Sequence, residues 1–147
     1  MAKLQLRILT SESVKLDEPV DMVIMRCITD EMGKNSAVGD LGVLPGHMPL
    51  SAVLGISPMR ILSEGEERMM AVFGGVVNVR EDVVTVLTEK ALWPDEIDHD
   101  KAKADHERAD NLREAMQGDR DVRSNQIAMR RALVQMEVSS YPLIGRK

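Results

Sequence analysis

The sequence predicts an all-β domain followed by an antiparallel helical hairpin. Apolar residues recur with period two as far as Trp93-Pro94, beyond it they recur with helical spacing, and a single glycine near residue 118 divides the helical part in two.

The first strand is signalled by Leu4, Leu6 and Ile8, which alternate with polar residues. Val20, Met22 and Ile24 interleave with Val23 and Met25, so this run is apolar on both faces and predicts a second packed layer. Further strand runs are Met59 to Leu62, Met69 to Phe73, Val76 to Val79 and Val83 to Thr88. Ser63-Glu64-Gly65-Glu66, Gly74-Gly75 and Arg80-Glu81-Asp82 read as the turns between them. Short strands at this spacing predict a sandwich or barrel.

After Pro94, Asp95 or Asp98 suits the N-cap of a first helix, with acidic residues in its first turn, where the helix dipole favours them. Its apolar stripe is Ala102, Ala109, Leu112 and Met116. Gln117-Gly118-Asp119 interrupts it. Gly118 suits a left-handed C-cap and Asp119 or Asp121 the next N-cap. The second helix carries Val122, Met129, Ala132, Leu133 and Met136 on one arc. Opposite them fall Arg120, Arg123, Arg130 and Arg131 with Ile127, Val134 and Val138 among them. This second face reads either as a solvated basic face or as a docking face for an acidic partner. A stripe made largely of alanine buries little area, which predicts a weakly docked hairpin. The organisation is a β domain over 1–93, a hairpin over 94–138 and a tail over 139–147.

Composition narrows the function. Apolar residues are 44% and charged residues 29% of 147, and the net charge is −5. That balance argues against nucleic-acid binding, which needs a basic excess. Eleven methionines stand in for scarce aromatics as core filler. Cys27 is alone, so it reads as a small core hydrophobe in a reducing compartment. No apolar run approaches the roughly 18 residues of a membrane span, and the N-terminus enters a strand pattern without a signal-peptide core. Phosphate-binding, zinc-protease and serine-hydrolase motifs are absent. His99 and His106 lie seven apart, too few and too far apart for a metal site, so no metal is expected.

The most distinctive segment is Gly39-Asp40-Leu41-Gly42-Val43-Leu44-Pro45-Gly46-His47-Met48-Pro49-Leu50. Its glycines and prolines predict a tight loop, and His47 reads as a hydrogen-bonding anchor within it rather than a catalytic base. The segment resembles the G-x-L-P-G-H-x-P-L loop of the epsilon subunits of bacterial F-type ATP synthases. Gly74-Gly75, Val79 and Asp82-Val83-Val84-Thr85-Val86-Leu87 are similar to the family's next conserved stretch, with Asn78 at a position usually held by Glu. Glu96-Ile97-Asp98 with Ala102 and Ala109 resembles the start of its hairpin.

The resemblance implies a sandwich of about ten strands and a two-helix hairpin. It implies a non-catalytic central-stalk subunit, with the sandwich on the gamma subunit and the c-ring, at the cytoplasmic face of the cell membrane without entering it. Asp40, Gly42, Leu44, Pro45, Gly46 and His47 are then the ring-facing loop. The hairpin would inhibit ATP hydrolysis by extending into the alpha and beta subunits, with Arg120, Arg123, Arg130 and Arg131 meeting an acidic segment of beta. Some members bind ATP through an I/L-D-x-x-R-A motif. Here Ile97, Asp98, Lys101 and Ala102 fill it, with Arg108 or Arg131 as further contributors. Lys101 replaces the motif's arginine and loses its planar fork, so ATP is expected as a weak regulatory ligand at most and no resident cofactor is expected. Between Arg26 and Gly39 the chain is longer than the family pattern by roughly eight or nine residues, near Thr29 to Ala37, which predicts a longer hairpin or surface loop. The alternatives are a free-standing nucleotide-binding regulatory module and an enzyme using His47.

Overall fold

The computed structural model describes residues 2–29, 36–115 and 118–140. Eight strands form one mixed sheet: β1 (Leu4–Leu9), β2 (Val14–Val20), β3 (Met22–Thr29), β4 (Ser36–Val43), β5 (Leu50–Ser63), β6 (Glu66–Arg80), β7 (Val83–Leu87) and β8 (Ala91–Leu92). The order across the sheet is β2-β1-β7-β6-β5-β3-β4, with β8 on β6. β1 and β7 pair in parallel, Leu6 opposite Val84 and Ile8 opposite Val86, and the other pairings are antiparallel.

Two long strands fold this sheet into a sandwich. β5 and β6 pair along nearly their whole length. The core takes Met70 and Val72 from the first half of β6 but Val77 and Val79 from the second. In β5 it takes Leu54 and then Met59 and Ile61. The inward face changes parity at Gly55 and at Gly74-Gly75, so each strand turns a corner there and serves both layers. Gly74 and Gly75 have φ of +79° and +128°, a conformation L side chains rarely adopt. They are therefore not the turn expected between two strands but a bend inside one. The expected run through Val20 to Met25 is likewise two strands. The chain bends at Asp21, whose carboxylate pairs with Lys3 at 2.6 Å and accepts the Glu64 amide at 2.7 Å. The two other expected turns stand: Glu64-Gly65 and Glu81-Asp82 have positive φ at both central residues and close β5–β6 and β6–β7 as tight hairpins.

Leu4, Leu6, Ile8, Val84 and Val86 are fully buried against Val23, Met25, Met59 and Ile61. Cys27 packs against this core, and burial pushes its thiol pKa up. In the first half of β6, Ala71 and Phe73 point out the other side and are also buried. What covers them is a helix.

The linker is a 3-10 turn at Pro94–Glu96. The Glu96 carboxylate accepts the Trp93 amide at 2.9 Å and Lys15 Nζ at 2.5 and 2.7 Å. The Arg68 guanidinium stacks 5.4 Å from the Trp93 ring and ion-pairs with Glu18. Burial raises the Glu96 pKa, but Lys15 and the Trp93 amide together hold it below the usual carboxylate range. A depressed carboxylate stabilises the fold above its ordinary pKa and loses that contribution as pH falls through the folded value. Acidification below the usual carboxylate range is therefore expected to loosen the linker. Trp93 fluorescence should follow that transition in the native chain and lose it in Glu96→Gln.

Helix α1 (His99–Leu112) starts at an Asp98 N-cap, whose carboxylate accepts the Lys101 amide at 3.1 Å. It runs into a 3-10 turn at Arg113–Ala115. Helix α2 (Asp119–Ser139) follows with Gly118, at φ +92°, as its N-cap. Gly118 thus opens the second helix instead of closing the first. Met116 and Gln117 lie outside the described residues.

The packing of α2 overturns the expected face assignment. Asn125 and Ala132 are buried, and Asn125 Nδ2 donates to the Ala109 carbonyl of α1 at 2.8 Å. Val134 and Val138 are buried against Ala71 and Phe73 of the sheet. At about 100° per residue these two pairs lie on nearly opposite sides of α2. The helix is therefore sandwiched between α1 and the β domain. Leu133, expected in the apolar stripe, is 52% exposed, and Leu112 of α1 is 46% exposed. The face read as either solvated or a docking face is seated on the protein's own sheet through Val134 and Val138, while Arg123, Ile127 and Arg130 on it are exposed.

Candidate interaction surfaces

The end loop runs from Leu44 to Pro49. The His47 amide donates to the Leu44 carbonyl at 3.1 Å, closing a turn around Pro45 and Gly46. The Gly46 amide donates to Asp82 Oδ1 at 2.7 Å, which ties the loop to the β6–β7 turn. His47 Nδ1 lies 2.7 Å from the Met48 carbonyl, so the ring anchors the loop by a main-chain hydrogen bond. Leu44 and Met48 project from it and are mostly exposed.

Asp40 and Gly42 are not in this loop. Both belong to β4, where Asp40 stands opposite Arg26 and pairs with it at 3.4 Å. At about 3.3 Å per residue, Asp40 is some 13 Å of strand from Leu44. It belongs instead to a charged cleft of about 370 Å³ that also holds Arg60, Glu67 and Glu137. The distinctive sequence segment is therefore half strand and half loop, because Val43 is fully buried and keeps the strand going. The longer piece near Thr29 to Ala37 joins β3 to β4. Thr29 and Ser36 pair as its flanks, and residues 30–35 lie outside the described ones.

The motif residues Ile97, Asp98, Lys101 and Ala102 lie together at the start of α1. Ile97 packs beside Phe73, Asp98 is engaged as the N-cap, Ala102 is buried and Lys101 is exposed. Arg108 pairs with Asp105 at 3.3 Å, three turns and about 15 Å along α1 from Asp98. Arg131 is half-buried, with its guanidinium 5.1 Å from the Phe73 ring centroid and 3.8 Å from Glu89. Arg123 and Arg130 are exposed and line a cleft of about 950 Å³ between the hairpin tip and the Gly55–Gly74 corner. Ile28, Leu54 and Phe73 line its sheet side. The Arg120 side chain lies outside the described residues.

One surface is invisible from the sequence. On the outer face of the first layer, Val14 pairs with Leu9, Leu9 with Leu87, Leu87 with Val76 and Val76 with Val53. Val14, Leu87, Val76 and Val53 are 46–57% exposed. The row crosses five strands, about 19 Å at normal strand spacing. In the next row on that face, Arg7, Asp17, Thr85, Asn78 and Ser51 are polar. Leu9, Leu87, Val76 and Val53 each lie beside a buried apolar neighbour in their own strands, and only the cross-strand register reveals that the five are adjacent.

Among the described residues no group of three or more His, Cys, Asp or Glu could hold a metal ion. No helix among them is long and apolar enough to cross a membrane.

The sequence model of the ATP synthase delta/epsilon chain β-sandwich domain matches residues 3–94. The ATP synthase epsilon chain of Bacillus licheniformis is 32% identical over 139 residues, covering 95% of this chain and 99% of the relative. That of Brevibacillus brevis is 40% identical over 111 residues, covering 75% and 77%. Among solved structures, a chain in the Euglena gracilis mitochondrial ATP synthase (OSCP/F1/c-ring) superposes with a TM-score of 0.76 at 24% identity. It covers 96% of this chain and 83% of that one, and shares the fold. The family match over the β domain and the near full-length relatives identify the chain as a member of the ATP synthase delta/epsilon family.

Proposed function

We propose that the chain is the epsilon subunit of the rotor stalk of an F-type ATP synthase. Its β domain joins gamma to the c-ring, and its hairpin restrains ATP hydrolysis. The observation that carries this reading is correspondence with epsilon chains over both parts of the molecule, the sandwich and the hairpin. The subunit is non-catalytic: His47 is engaged in loop anchoring, and coupling is a matter of surfaces. The apolar row through Val76 is the gamma-facing surface, because five adjacent apolar side chains, four of them about half exposed, mark a protein interface. The Leu44–His47 end of the sandwich faces the c-ring, with Leu44 and Met48 as its leading side chains. Asp40 and Gly42 then support that end from β4. The assembly sits peripherally at the cytoplasmic side of the membrane through its partners.

The hairpin meets the alpha and beta subunits when it extends, and among the described side chains of its second helix Arg123 and Arg130 are the exposed cations. ATP acts, if bound, as a regulatory ligand of the hairpin and not as a resident cofactor. Lys101 in place of arginine and the engagement of Arg131 with Phe73 both weaken it.

Reassembly with gamma, the c-ring and the catalytic subunits tests the proposal. The full chain should co-purify with gamma, and a chain ending at Trp93 should do so equally. The shortened chain should raise ATP hydrolysis several-fold over the full one. Failure to capture gamma would sink the stalk reading, and equal hydrolysis rates would remove the brake.

A further inference from the structure

The basic side of α2 is divided by how the helix docks. Its C-terminal half is seated on the sheet through Val134 and Val138, while its N-terminal half leaves the sheet and roofs the cleft lined by Arg123 and Arg130. Arg131 stands at the boundary. Its guanidinium lies over Phe73, the chain's only phenylalanine and only 5% exposed. Lys90 lies 5.6 Å from the same ring. Glu89 is 3.8 Å from Arg131 but its side chain is 68% exposed. An ion pair that open to water contributes little. A guanidinium on a buried ring face is more strongly held, because it is weakly hydrated and faces the negative side of the ring.

We infer that the Arg131–Phe73 stack is a latch that sets how readily the hairpin leaves the β domain and that withholds Arg131 from any acidic partner while the hairpin is docked. Among the described side chains of α2, Arg123 and Arg130 are then the exposed arginines of the docked molecule. Arg131 joins them only after Val134, Val138 and the ring have separated. The partner half of this statement rests on the braking role proposed above, whereas the latch itself is a property of the isolated chain.

The test is amide hydrogen exchange on the full chain, read along Arg131 to Val138, with the β1 and β7 amides as internal reference. Phe73→Leu keeps an apolar side chain but removes the ring. Arg131→Met keeps the stem and removes the guanidinium without touching the sheet core. Each should speed exchange in the C-terminal half of α2 by about three- to tenfold, the range expected for a partly buried cation–ring contact, and leave the reference amides unchanged. The double variant should exceed the larger single effect by little, since both remove one contact. Unchanged exchange in Arg131→Met, or multiplicative effects in the double variant, would overturn the latch. ATP hydrolysis in the reassembled complex reports on the brake separately: a coupled exchange cycle with no change in hydrolysis for Arg131→Met would leave the latch standing and end its link to braking.

Discussion

Gly75→Ala is expected to destabilise the β domain by about 2–6 kcal/mol, the largest effect of any Gly→Ala change among the described residues. Two costs coincide at this position. The backbone sits at φ +128°, where an L side chain is strained by about 1–3 kcal/mol. A Cβ there would also meet the Leu87 carbonyl oxygen at 2.0 Å. That atom is backbone in β7, paired at the next residue of β6 through Val76 and Leu87. It cannot swing aside as a flexible side chain would, so the overlap must be relieved by moving two strands, which adds about 1–3 kcal/mol. Gly74→Ala is the internal comparison. It shares the positive φ of +79°, but its Cβ would find Leu54 O at a comfortable 3.6 Å. Only the conformational cost applies, about 1–2 kcal/mol. Thermal unfolding should therefore show a drop of more than about 10 °C for Gly75→Ala and a clearly smaller one for Gly74→Ala. Equal shifts would mean that the corner is not set by contact with β7.

The same corner explains what could be read from the sequence and what could not. Leu4, Leu6 and Ile8 keep one parity along an unbent strand, so period two reports β1 directly. β6 changes its inward parity at Gly74-Gly75, and any period-two reading must report two strands and a turn there. The Gly-Pro loop at Leu44 to His47 was legible because its residues carry their conformations with them. Asp40 was misplaced because nothing local ends β4 before the buried Val43. In α2 the helical period and its arcs were legible, but which arc meets which partner was not. Asn125 and Val134 lie on opposite sides, and both sides are buried. A hydrophobic stripe cannot rank two buried faces, and Leu133, the bulkiest residue of the expected stripe, is exposed. The apolar row through Val14, Leu87, Val76 and Val53 depends on register between strands far apart in sequence, and register is a tertiary fact.

If the apolar row is the gamma-facing surface proposed above, Val76→Asp should leave the isolated chain folded and lower its affinity for gamma by about a hundredfold or more. Val76 is 46% exposed, so the carboxylate is hydrated in the free chain and the cost is limited to strand preference, about 1 kcal/mol or less. In a complex that covers the row, the carboxylate would be enclosed between Val53 and Leu87, with only apolar side chains as cross-strand neighbours. An ionised group desolvated without a partner costs several kcal/mol, and each 1.4 kcal/mol is a tenfold loss of affinity. Asn78→Asp places the same charge on the same strand and face two residues further on, beside Ser51. There the surroundings are polar, and the loss should stay below about tenfold. The contrast between the two positions separates a seam of contact from a general repulsion, since added net charge is identical in both variants. Binding titrations with purified gamma at two salt concentrations decide the matter. Near-native affinity for Val76→Asp would place the gamma surface elsewhere on the sandwich. A loss shared equally by both variants and relieved by salt would mean that long-range charge, not burial of the row, governs assembly.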